Sequence, residues 1–224
     1  MTSHTINDKI HPNIINRGQY MLTAEQALQR LKDGNQRFVK GEMQDQNALT
    51  PLQRAITTEG QNPFAIILGC SDSRVPAEMV FDQGLGDLFV IRVAGNIVAP
   101  SQVGSVEFAA ERYDCSLVVV LGHSQCGAIQ ATIDVLTKPD TPPSLNLMSI
   151  VNRVRPSVEI LLQTELKDDL SKLSVHAVRS NVFASVNQLR HGSAVLENLI
   201  AQKKLKIVGA EYSIETGEVQ FFDF

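Results

Sequence analysis

The chain has 224 residues, of which 43% are hydrophobic and 20% charged, and its formal net charge is -4. That is enough apolar material to bury one sizeable core, while the acidic balance and the lack of a basic stripe argue against a nucleic-acid binder, which needs clustered Lys and Arg to neutralise phosphate. No apolar run approaches transmembrane length and the first residues lack the apolar stretch of a signal peptide, so the composition predicts a soluble, cytoplasmic protein that does not act at a membrane.

Residues 1–22 are polar and interrupted by Pro12 and Gly18, and read as a flexible segment ahead of a single domain over 23–224. Thr23-Ala24-Glu25-Gln26 forms a capping box, and Leu28, Leu31 and Phe38 recur at near-helical spacing until Gly41 stops the run. This predicts an amphipathic helix whose apolar stripe fits either its own sheet or a partner subunit; periodicity does not choose between them. Next come three short continuous apolar runs, 64–68, 88–91 and 117–121. Runs of this kind mark strands covered on both faces of a parallel sheet. A helix carrying Val103, Val106, Phe108 and Ala109, opened by Ser101 after Pro100, falls between the second and third runs, and another over 128–136 follows the third. Breakers crowd 138–143, and largely helical sequence then extends from Leu145 to Gln202, with interruptions at Pro156 and Gly192. The stretches 205–210 and 219–222, joined through a turn containing Gly217, read as a terminal strand pair. The fold class is α/β: a central, mostly parallel β-sheet flanked by helices.

Two polar motifs sit directly after strands: Cys70-Ser71-Asp72-Ser73-Arg74 and Gly122-His123-Ser124-Gln125-Cys126-Gly127. In open α/β sheets, ligands bind beyond the carboxyl ends of strands. Cys70, His123 and Cys126 have the donor chemistry of a zinc site with one position left open. A helix beginning near Cys126 directs its positive end at that thiol and favours the thiolate. A redox thiol pair is the rival, weakened because the two cysteines lack Cys-x-x-Cys spacing; inert buried cysteines are the bland alternative, which is the reading given to Cys115. Asp72 and Arg74 are two residues apart. They form either a plain ion pair that fixes the turn, or a switch in which Asp72 stays on Arg74 or swings to the metal. Water on an open zinc position ionises near neutral pH, which points to hydration or hydrolysis. Apolar Phe89, Val93 and Ala94, with Gln61 and Asn96 as polar contacts, suit a small uncharged electrophile. No histidine stands out as a proton shuttle.

At these residues the chain resembles the β-class carbonic anhydrases. The likeness spans about 24–222 and includes Cys70-Ser71-Asp72-Ser73-Arg74-Val75-Pro76, the segment from Gly86 to Asn96, Gly104-Ser105-Val106-Glu107-Phe108, the Gly122-to-Gly127 motif, and Gly209-Ala210-Glu211-Tyr212 with Thr216-Gly217. The resemblance implies Zn2+, one per subunit, held by Cys70, His123 and Cys126. It implies an Asp72 and Arg74 dyad, with Asp72 as a fourth metal ligand only in an inactive closed form. The implied reaction is reversible hydration of CO2 to bicarbonate and a proton, by attack of zinc-bound hydroxide. Gln61 matches a glutamine that contacts substrate from across a dimer interface, and Phe89 an apolar wall of the CO2 pocket. The family pattern also implies a homodimer or dimer of dimers with the amino-terminal helix packing on the partner subunit. Phe108 departs from plant-type members, which carry tyrosine there, and the chain has no tryptophan of the kind used in bicarbonate-regulated members. Two other readings fit the same residues: hydrolysis of a CO2 analogue such as carbonyl sulfide, and a noncatalytic zinc-stabilised module with Asp72 permanently ligated.

Overall fold

The computed structural model describes residues 22–44, 58, 60–138 and 143–222. Five strands form one sheet in the order β2-β1-β3-β4-β5: β1 (Ala65–Gly69), β2 (Leu88–Arg92), β3 (Leu117–His123) and β4 (Lys206–Tyr212) run parallel, and β5 (Val219–Phe222) is antiparallel to β4. Seven helices among the described residues surround it: α1 (Ala24–Lys40), α2 (Ala77–Val80), α3 (Pro100–Arg112), α4 (Gly127–Thr137), α5 (Leu145–Leu162), α6 (Leu170–His191) and α7 (Ala194–Ala201). None of the helices is long and apolar enough to cross a membrane.

Every residue of β1 and β3 is buried, as their unbroken apolar runs require when helices cover both faces. Alternation then sorts the side chains. Ala65, Ile67, Val119, Leu121 and Val208 face a layer made by α1 and α2, whereas Ile66, Leu68, Val118, Val120 and Ile207 face α3, α6 and α7. A third cluster, in which Ile97, Ile129, Val154, Val158 and Leu173 surround Cys70 and Cys126, lies among α4, α5 and α6.

Helix α1 starts and stops where its chemistry dictates. The Gln26 amide N–H donates to Thr23 Oγ1 (3.2 Å) and the Thr23 N–H donates to Gln26 Oε1 (2.9 Å), closing the capping box; Gly41, left-handed at φ 70°, ends it. The stripe that periodicity left open between its own sheet and a partner subunit is occupied in cis. Leu31 is fully buried, and Leu28 and Phe38 pack on the same cluster as Phe81, Val80 and Tyr212. Burying one such leucine is worth about 1.5–3 kcal/mol. Gly34 makes this docking possible, since a Cβ there would fall 1.8 Å from the Phe81 carbonyl oxygen. Asn35 completes the seam, donating to the carbonyls of Val80 and Gly217 and accepting from the Val219 N–H.

Two boundaries differ from expectation. Helix α3 opens at Pro100 rather than under a Ser101 cap: proline occupies N1, where a missing N–H costs nothing, and the Ser101 hydroxyl donates to Gln102 Oε1 within the first turn. Pro156 does not interrupt α5. It sits on the exposed face, as does Asn152, whose carbonyl loses a partner, while Val154, Ser157 and Val158 hold the helix to the core from the other side. The break falls instead at Gln163 to Asp169, around a 3-10 turn at Glu165–Asp168, and Gly192 does separate α6 from α7 as expected. The flexible segment over 1–22 lies outside the described residues apart from Leu22, as does most of the loop at 138–143.

Candidate metal centre

The strand order makes β1 the pivot, because the chain goes from β1 to β2 on one side and returns past β1 to β3 on the other. Ligand sites form at such a reversal, beyond the strands' carboxyl ends. Cys70 is the first residue after β1, His123 the last of β3, and Cys126 the cap residue of α4. Gly69 pairs with Leu121 across the two strands, so their ends converge. One donor atom from each of Cys70, His123 and Cys126 lies within 4.8 Å of the others, and all three residues are buried.

His123 Nδ1 donates to the Ser124 carbonyl (2.8 Å), which fixes the tautomer and leaves Nε2 with a free lone pair. That Nε2 is completely buried and has no hydrogen-bond partner. Leaving a buried acceptor unpaired costs about 1–3 kcal/mol, and it lies 4.0 Å from Asp72 Oδ2. Two thiols and one oriented imidazole nitrogen around a shared space are what a tetrahedral, thiophilic divalent cation takes up.

Electrostatics of the sulfur pair are unequal. A hydrogen bond from Cys126, opposed by burial and helped by His123 and the Gly95 N–H (3.3 Å to Sγ), pulls the Cys70 thiol down. Cys126 is pushed up, because it is the donor in that bond, is buried, and faces the charge on Cys70. The two thiols interact strongly, and a divalent cation between them would ionise both, Cys126 included, as its place at the start of α4 favours. For His123, burial pulls the pKa down, but the nearby Cys70 sulfur outweighs it and the net shift is upward. Gly95, at φ 70°, takes a backbone conformation that favours glycine as it turns its N–H onto Cys70, and a Cβ there would press on Ala128 at 3.0 Å.

Asp72 and Arg74 are paired in a fork. Arg74 Nε donates to Oδ1 (2.9 Å), Nη2 to Oδ2 (2.8 Å), and the Arg74 backbone N–H to Oδ1 (3.0 Å). The Arg74 hydrogen bonds hold the Asp72 carboxyl far below the usual carboxylate range. Arg92, at the end of β2, donates to the carbonyls of Cys70 and Asp72 and so ties this loop to the sheet. On the other side, Arg74 Nη2 donates to the Gln125 carbonyl (3.3 Å).

Gln61 and Phe89 lie in a different place. The Gln61 amide donates to Tyr113 Oη (2.9 Å), and the Tyr113 ring is 6.0 Å from Phe89 and 5.8 Å from Phe108. Phe89 pairs in register with Ile66, three residues short of the strand end where Arg92 pairs with Gly69. Among the described residues no hydrogen bond or ring contact joins this group to Cys70, His123 or Cys126. It forms a second cluster beside β2, the free edge of the sheet, with Phe108 52% exposed. Sequence reasoning missed Tyr113, Arg92, Ser124, Gln125 and Glu215. The lack of a phenol at Phe108 is offset at Gln61 by Tyr113, five residues on, at the end of α3.

Fold and site together define a doubly wound α/β protein with a metal-capable cluster at its strand switch point. The carbonic anhydrase family model matches residues 65–219. The chain is 40% identical over 198 residues to the carbonic anhydrase of Mycolicibacterium smegmatis, covering 87% of this chain and 91% of that one. Its structure is similar to that of the β-carbonic anhydrase CafA of Aspergillus fumigatus, with a TM-score of 0.69, 25% identity and coverage of 77% and 81%. It also matches one of two tetrameric β-carbonic anhydrases of Sordaria macrospora in fold, with a TM-score of 0.68, 23% identity and coverage of 78% and 88%. This chain belongs to the β-class carbonic anhydrases.

Proposed function

We propose that the chain catalyses reversible hydration of CO2 to bicarbonate and a proton at the Cys70, His123 and Cys126 cluster, with one zinc ion per subunit. The observation that carries this reading is the buried, partnerless His123 Nε2, oriented by Ser124 toward two thiols and flanked by an ionised carboxylate. Zinc bound there would supply the Lewis acidity that ionises water near neutral pH. The chain's own side chains do the rest. Arg74 takes two hydrogen bonds on Asp72 Oδ1, through Nε and its backbone N–H, and one on Oδ2, which leaves Oδ2 able to accept a hydrogen bond from the attacking hydroxide and so turn that atom's lone pair toward carbon. Released from Arg74, the same carboxylate would be free to serve as a fourth metal donor and close the site, whereas the Asp72–Arg74 pair supports the open arrangement.

Gln61 and Phe89 serve the pocket of a neighbouring subunit. What supports this is their position beside a free sheet edge and apart from the chain's own metal donors, together with the tetrameric state of the Sordaria relatives. The β2 edge, unpaired among the described residues, and the exposed Phe108 are surfaces that association covers. A dimer or dimer of dimers follows, with the outward face of α1 against the partner. The three cysteines are free, which suits a reducing compartment such as the cytoplasm.

Stopped-flow CO2 hydration, with zinc content measured on the same sample, tests the reading. The wild-type chain is expected to hold one zinc and hydrate CO2. Asp72→Asn should keep its zinc and lose roughly a hundredfold in kcat/KM, the scale of losing one oriented hydrogen bond at the reacting centre. Sulfide release from carbonyl sulfide without CO2 hydration, or full zinc with no turnover of either, overturns it.

A further inference from the structure

Glu215, on the turn between β4 and β5, is exposed and belongs to no motif singled out above, yet three side chains converge on it. Ser124 Oγ donates to Oε2 (2.7 Å), Gln125 Nε2 donates to Oε1 (2.6 Å) and Ser213 Oγ donates to Oε2 (3.2 Å). The Ile214 N–H closes the turn onto the metal loop by donating to Ser124 Oγ (3.0 Å). Ser124 and Gln125 are the two residues between His123 and Cys126. Gln125 is a non-glycine in the left-handed region, at φ 57°, a conformation that persists only where its surroundings hold it.

The chemistry of the contact sets a direction. A carboxylate only accepts, so it takes the NH2 end of the Gln125 amide and turns the oxygen end away. That oxygen faces Arg74 Nη1 (3.4 Å), and the Gln125 backbone carbonyl accepts from Arg74 Nη2 (3.3 Å). A continuous chain therefore joins Glu215 to Gln125, Gln125 to Arg74 and Arg74 to Asp72.

We infer that Glu215 is a positioning residue that, through the orientation of Gln125, keeps the Arg74 guanidinium on Asp72 and so biases the site toward its open arrangement. The inference rests on the proposed Asp72 exchange. Without Glu215 the Gln125 amide is free to present its NH2 end to Arg74, a donor against a donor, and Asp72 spends more of its time on the metal. A ligand that needs the open arrangement then binds more weakly in proportion to the open fraction.

The test uses the full chain substituted with cobalt, titrated with azide at one fixed pH and read by its visible spectrum, alongside kcat/KM for CO2 on the zinc form. Glu215→Gln is expected to raise the azide Kd and lower kcat/KM by the same factor, about three- to tenfold for exposed charge-assisted bonds, with metal content unchanged. In a Gln125→Ala background the further change Glu215→Gln should have no additional effect. An unchanged azide Kd, a fall in kcat/KM without a matching rise in Kd, or full additivity with Gln125→Ala overturns the inference. If the wild-type chain does not hydrate CO2, the functional reading fails, while the azide titration still decides whether Glu215 governs access to the metal.

Discussion

Single carboxylates set the character of this site, and each does so through what donates to it. Asp72 is ionised because Arg74 grips both oxygens. Glu215, with no burial at all, is held at about 2, first by Ser124 and then by its neighbouring backbone and Gln125. A carboxylate whose folded pKa is depressed adds stability above its unfolded pKa, and that stability is lost as pH falls toward the folded value. Wild type should therefore exceed Glu215→Gln in urea midpoint by a margin that is constant near neutrality and shrinks as pH drops from about 5 to about 3. A margin that does not change over that range would mean the carboxylate's charge contributes nothing to folding.

Helix α1 shows how one element acquires its place. Its caps and stripe are local properties, but its docking depends on the absence of a side chain at Gly34 beside the Phe81 carbonyl. Backbone cannot yield to a Cβ at that distance, so α1 must lift from α2 and the sheet. Gly34→Ala is expected to cost about 1–3 kcal/mol or more, the scale of overpacking, read as a lower urea midpoint at unchanged slope. The same loss should appear whatever the protein concentration, since the contact is within one chain; a cost that appears only in the associated state would assign the stripe to the partner after all.

At the scale of the whole molecule, the two clusters of site residues sit apart on one chain, and association would bring one chain's Gln61 to the other's metal. This has a sharp consequence in mixed assemblies. A dimer made from one Gln61→Ala chain and one Asp72→Asn chain contains one site with both native residues and one with neither. The purified mixed dimer should recover about half of wild-type turnover, as a two-fold interface requires, whereas each variant alone stays impaired. If Gln61 served its own chain, every site would carry one defect and no recovery would be measured.

Much of this protein was legible in the linear chain. Unbroken apolar runs at 64–68 and 117–121 announced strands covered on both faces, the Thr23 to Gln26 box marked the start of α1, and Cys70, His123 and Cys126 declared metal chemistry by residue type and by following strands. These signals are local, since propensity, capping and donor chemistry act within a few residues. Pro156 misled because a break depends on whether the orphaned carbonyl is exposed, and exposure belongs to the packed helix. The direction of the α1 stripe, the Tyr113 hydroxyl on Gln61 and the reach of Glu215 into the metal loop were decided only by tertiary structure. Each is a contact between residues far apart in the chain, and its energy depends on distances and burial that exist only once the sheet has assembled.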